Sequence, residues 1–137
     1  MIKAILFDLD GTLLDTVEDI RACLNAVMRK FGYPEASRGQ TCAYIGDGAF
    51  KLLERALPQG ADNAQECYEM FASLYAENKN TLTKPFEGAE AFLQKCVERG
   101  LKTAIITNKP QEATQNCVKQ FFKHKFDFVS GDSGAFP

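Results

Sequence analysis

The sequence has no tryptophan, a single histidine and only five cysteines among its 137 residues. Those cysteines (Cys23, Cys42, Cys67, Cys96 and Cys117) are odd in number, widely spaced and never arranged as CxxC, so neither a disulfide framework nor a zinc site is expected. They read as reduced helix or core residues, the usual state of free cysteine. Also missing is any apolar run near the ~20 residues that span a bilayer. The opening MIKAILFDLD places carboxylates where a signal peptide needs an unbroken apolar stretch. A cytoplasmic protein with no membrane partner is therefore expected. There is no excess of positive charge either, since 16 Lys+Arg face 18 Asp+Glu for a formal charge of -2. Nucleic acid would favour a basic patch, so it is not expected as a partner.

What is present, 45% hydrophobic and 25% charged residues, suits an ordinary globular protein able to form a packed core. Residues 3–8 hold a nearly continuous apolar run, Ala4-Ile5-Leu6-Phe7, ending in acids and Gly11. That pattern predicts a strand buried on both faces, as in parallel sheets. From Thr16 to Phe31 the spacing turns helical, with Val17, Ile20, Leu24, Val27, Met28 and Phe31 on one side and Gly32 as the stop. Further helices are predicted over about 49–57, after the turn Gly46-Asp47-Gly48, and over about 63–79. Thr83-Lys84-Pro85 reads as an extended linker. A helix from near Gly88 to Gly100, an apolar run over 102–107, a helix over about 111–122 and a short strand over 126–129 restore strand-helix alternation.

The pattern predicts an α/β protein: a Rossmann-like parallel-sheet core from residues 1–15 and 86–137, interrupted by an all-helical insert over 16–85. In open parallel sheets the ligand crevice lies at the carboxyl ends of the strands, where residues 8–12 and 107–109 fall.

Asp8 and Asp10 leave the first strand at i and i+2. Buried carboxylates need a partner or a metal to offset desolvation, and a divalent cation meets that need. Gly11 supplies a tight turn, and the hydroxyl and amide of Thr12 can face an anion. A solvated acidic turn would explain a lone DxD, but not the whole specified stretch of residues 8–15 after an apolar strand. By itself Thr107-Asn108 after a strand fits an ordinary helix cap. Lys109 and His124 read as solvated surface charges.

Residues 8–15, DLDGTLLD, resemble the first motif, DxDGT[LV]xD, of the haloacid dehalogenase-like phosphatases. The resemblance implies that Asp8 is a nucleophile forming an aspartyl-phosphate, and that Asp10 is the general acid for the leaving alcohol and then the base for water. It further implies Mg2+ held by Asp8 and Asp10, and Gly11, Thr12, Thr107 and Asn108 around the phosphoryl group. Thr107-Asn108-Lys109-Pro110, Tyr44-Ile45-Gly46-Asp47-Gly48 and Leu53-Glu54-Arg55-Ala56-Leu57 resemble the phosphoglycolate phosphatase branch, where the helical insert is a cap. On that resemblance Gly46, Asp47, Gly48 and Arg55, or Lys51, meet the carboxylate of a small phosphorylated substrate such as 2-phosphoglycolate. An interhelical turn with solvated charges is the other reading of these positions.

Family members continue beyond this length. Their third motif is a lysine, normally just past the segment equivalent to 131–137, and their fourth is an acidic pair on a further strand. Gly131-Asp132 is not that pair, because Phe136 stands where the second acid would be. The resemblance thus implies an incomplete core, a chain inactive alone, and Ile5, Leu6 and Phe7 on an open edge able to self-associate. Two other functions stay open beside hydrolysis: a non-catalytic fragment that binds or oligomerises, and a phosphotransferase or mutase passing the phosphoryl group to a sugar.

Overall fold

The computed structural model describes residues 1–134; the expectation at Phe136 lies outside them. The chain divides into two compact units. One comprises Met1–Asp15 and the residues from Lys84 on, and the other is Thr16–Thr83.

The first unit is α/β. Its parallel sheet has the order β1-β4-β5, from β1 (Ala4–Phe7), β4 (Lys102–Pro110) and β5 (Phe128–Asp132). Ala4 to Phe7 pair in register with Lys102 to Ile105, and Ala104 to Ile106 pair with Phe128 to Ser130. Helix α5 (Ala89–Glu98) packs on β4, and α6 (Gln111–Phe121) packs on β4 and β5. Leu9, Leu13, Leu14, Ala89, Leu93, Ile105, Cys117 and Phe122 form the core, where each fully buried leucine contributes about 1.5–3 kcal/mol relative to exposure. A second pairing, antiparallel and two residues long on each side, joins β2 (Leu14–Asp15) to β3 (Lys84–Pro85). This ladder draws Lys84 and Pro85 into the first unit, whereas the sequence assigned them to the helical insert.

The expectation that β1 is buried on both faces is overturned. Ala4 and Leu6 are exposed, Leu6 at 62%, while Ile5 and Phe7 are half-buried. The reason is position: β1 is an edge strand, paired only with β4 among the described residues, and Phe7 meets Phe92 of α5 edge to face on one side.

The second unit is helical, with α1 (Val17–Phe31), α2 (Arg38–Tyr44), α3 (Ala49–Ala56) and α4 (Ala64–Glu77). Its core gathers Ile20, Leu24, Val27 and Met28 of α1 with Leu52, Leu53, Cys67 and Phe71. Helix α1 ends as the sequence predicts, on Gly32 at φ +72, the left-handed conformation that glycine adopts without Cβ strain. The Tyr33 amide then closes onto the Met28 carbonyl at 2.8 Å, satisfying an end carbonyl of the helix. Asp19, buried near the start of α1, accepts the Thr83 hydroxyl at 2.6 Å and the Leu82 amide at 3.1 Å, which fixes the last residues of this unit.

Candidate active site

Beyond Phe7 the chain folds over the Leu9 carbonyl, which accepts the amides of Thr12, Leu13 and Leu14 at 3.2, 3.0 and 3.1 Å. The Gly11 amide returns to the Leu14 carbonyl at 2.9 Å, and Gly11 takes φ +78, a conformation that favours glycine. Leu9, Leu13 and Leu14 point into the core. Their burial leaves Asp8, Gly11 and Thr12 exposed and Asp10 half-buried. The apolar residues of the motif therefore act as an anchor, and the polar residues between them are presented outward at the carboxyl end of β1. The Leu9 amide donates to Asp8 Oδ1 at 2.7 Å, a charge-assisted bond that orients this carboxylate.

Strand β4 brings the second set of residues to the same end of the sheet. It runs past the predicted stop at Thr107 as far as Pro110. Thr107 is half-buried, and its hydroxyl accepts the Lys109 amide at 3.2 Å; Asn108 is exposed. Lys109 departs from expectation, for its side chain is 2% exposed and its Nζ lies 3.1 Å from Asp10 Oδ1, a carboxylate itself only 15% exposed. A solvated lysine was expected. Burial of an ammonium is tolerated where a carboxylate offsets its desolvation, and Asp10 fills that place from the turn that follows the neighbouring strand.

The backbone at Lys109 is held from below. Its carbonyl and that of Pro110 both lie within reach of the Thr114 hydroxyl, at 3.3 and 3.0 Å. On β5 the Gly131 amide donates to the Gln111 side chain. These contacts tie the end of β4 to the start of α6 and to β5.

The structure thus brings Asp8, Asp10, Gly11, Thr12, Thr107 and Asn108 to the carboxyl ends of two paired strands and adds Lys109. Asp8 and Asp10 offer hard oxygen donors of the kind that divalent cations take together with water and phosphate oxygens. Among the described residues no group of three or more His, Cys, Asp and Glu side chains forms a complete metal site. Asp132, on β5, is exposed and accepts the Gly134 amide at 2.8 Å.

In the helical unit Gly46 and Gly48 have φ +132 and +89, so the turn before α3 is built on glycine. Arg55 pairs with Asp47 across this turn and donates to the Tyr44 carbonyl at 3.1 Å. The loop and Arg55, in the last turn of α3, are one hydrogen-bonded unit. Lys51 pairs with Glu54 at the surface, at 2.7 Å.

The family described as haloacid dehalogenase-like hydrolase matches residues 5–135. A phosphoglycolate phosphatase of Vibrio parahaemolyticus is 34% identical, the alignment covering 99% of this chain and 63% of that protein. One from Aquifex aeolicus is 36% identical over 85% of this chain and 54% of its own length. Among solved structures, a predicted phosphoglycolate phosphatase of Haemophilus somnus superposes with a TM-score of 0.85 at 27% identity, covering 99% of this chain and 64% of that one. The chain spans less than two thirds of the length of each of these relatives.

Proposed function

The chain belongs to the haloacid dehalogenase-like hydrolases, and on that premise we propose that residues 8–15 supply the nucleophile and the acid-base group of a Mg2+-dependent phosphomonoesterase. The observation that carries the proposal is the outward presentation of Asp8 and Asp10 by a loop whose three leucines are buried, beside a buried lysine at the end of the adjoining strand.

In this reading an Asp8 carboxylate oxygen attacks phosphorus in line with the ester oxygen. The bond from phosphorus to the leaving alcohol breaks, and Asp10 gives that oxygen a proton. Asp10 then takes a proton from a water that attacks the aspartyl-phosphate, and cleavage of the acyl-phosphate linkage at phosphorus returns Asp8 and inorganic phosphate. Thr12, Thr107 and Asn108 donate to the phosphoryl oxygens, where charge must be stabilised throughout the transfer. The Asp8 carboxylate and the Asp10 main-chain carbonyl would hold Mg2+, which would neutralise charge on the phosphoryl oxygens and on the attacking carboxylate.

The proposed substrate is 2-phosphoglycolate or a similarly small phosphorylated carboxylate. The names borne by the Vibrio and Aquifex relatives support this choice, and the glycine turn with its Arg55-Asp47 pair is the candidate recognition element for the carboxylate.

The test is phosphate release from 2-phosphoglycolate with Mg2+, beside Asp8→Asn and an EDTA blank. Release abolished in both controls supports the reading. Release that survives Asp8→Asn sinks it.

A further inference from the structure

We infer that Lys109 is the positioning residue of Asp10: it fixes one carboxylate oxygen so that the other meets the leaving group. This inference rests on the assignment of Asp10 as the acid-base group made above.

Three observations carry it. The Lys109 ammonium lies 3.1 Å from Asp10 Oδ1, with both side chains largely out of solvent. The Lys109 backbone is immobilised on each side, its amide by the Thr107 hydroxyl at 3.2 Å and its carbonyl by the Thr114 hydroxyl at 3.3 Å. The Asp10 backbone is also fixed, since the turn that contains it closes three amides onto the Leu9 carbonyl. With both backbones held, the ion pair sets the remaining freedom of Asp10, the rotation of its carboxylate. Oδ1 belongs to the lysine, so exchange of a proton with the ester oxygen falls to Oδ2. Lys109 keeps its own protons throughout and acts on the reaction only through Asp10. Holding a proton donor in its productive orientation accounts for a large part of what general acids contribute.

A lysine that only supported the fold would affect every substrate alike. A lysine that aims the acid matters where the leaving group needs a proton. The experiment therefore compares the alkyl ester 2-phosphoglycolate with p-nitrophenyl phosphate, whose phenolate departs without protonation, in wild type, Lys109→Met, Asp10→Asn and the double variant. Lys109→Met is expected to lower kcat on 2-phosphoglycolate by about 10²-fold and to lower p-nitrophenyl phosphate turnover far less. The double variant should then be no worse than Asp10→Asn, the behaviour of residues that act as one unit. The ratio of the two rates within one preparation does not depend on how much of that preparation is folded.

Equal loss on both substrates, or losses that simply add in the double variant, would overturn the inference while leaving the phosphatase reading intact. A wild type that releases phosphate from neither substrate, with Mg2+ present, would remove the phosphatase reading for this chain and this inference with it.

Discussion

Gly131 lies so close to Lys109 that a Cβ at this position would come within 2.6 Å of the Lys109 carbonyl oxygen, and within 2.7 Å of Thr114 Oγ1 and 2.8 Å of Gln111 Cα. Two of these three contacts are to backbone, which cannot swing aside. Gly131→Ala must therefore push β5 away from the end of β4. Overpacking of this kind costs about 1–3 kcal/mol, read as a lower urea midpoint. The same shift moves the Lys109 backbone, so phosphate release should fall in the fraction that remains folded.

Asn25 serves one residue twice. Its Oδ1 accepts the Ala36 amide at 2.8 Å and its Nδ2 donates to the Ala36 carbonyl at 3.0 Å, all buried. Asn25→Leu would strand both backbone groups, and each unsatisfied buried group costs about 1–3 kcal/mol. The urea midpoint should drop, and hydrogen exchange should quicken first at Ala36 and along α1.

Acid should weaken the α/β unit in part through Asp127. The Thr103 amide, at 2.9 Å, and then the Lys102 ammonium hold this carboxyl below its ordinary value of 3.8. A carboxyl lowered on folding contributes stability above its unfolded value, and that contribution fades as pH falls through the folded value. Melting temperatures taken downward from pH 5 should therefore fall below about pH 4, and Asp127→Asn should flatten part of that fall. An identical slope in the variant would show that the carboxylate makes no difference.

Thiol chemistry offers a check on the packing. Cys42 is exposed, whereas Cys23, Cys67, Cys96 and Cys117 are buried, and burial pushes the Cys23 and Cys67 thiols up. Because the thiolate is the reactive form, Cys42 should be alkylated first. The other four should follow only on unfolding, a pattern that mass spectrometry of a timed iodoacetamide reaction reads directly.

The elements visible in the sequence are those with their own periodicity. Helix α1 reproduces its apolar stripe and its glycine stop, and the strands at 4–7 and within 102–110 follow their apolar runs. Helix α2 was missed because it buries only Thr41 and so has no stripe to detect. Its start was nevertheless written in Ser37 and Gln40, which form a reciprocal capping box. The two-residue ladder of Leu14 and Asp15 with Lys84 and Pro85 has no local signature, since its partners are separated by the entire helical insert.

Residues 8–15 carried the resemblance in one contiguous stretch, which holds the proposed nucleophile, the proposed acid and the glycine turn. Lys109 could not be read the same way. A lysine after a strand is usually solvated, and its burial here is decided by Asp10, which reaches it only through the pairing of β1 with β4. The half-exposed state of β1 is likewise a matter of which strands flank it, a property no four-residue window carries.

The most direct test of the central claim, that Asp8 is the nucleophile, is to quench the protein in acid during turnover of 2-phosphoglycolate with Mg2+ and locate the phosphoryl group by peptide mass spectrometry. The account predicts one phosphoryl group on the peptide containing Asp8, released by hydroxylamine as an acyl phosphate and absent in Asp8→Asn. Turnover with a phosphoryl group on another residue, or undiminished turnover in Asp8→Asn, would contradict it.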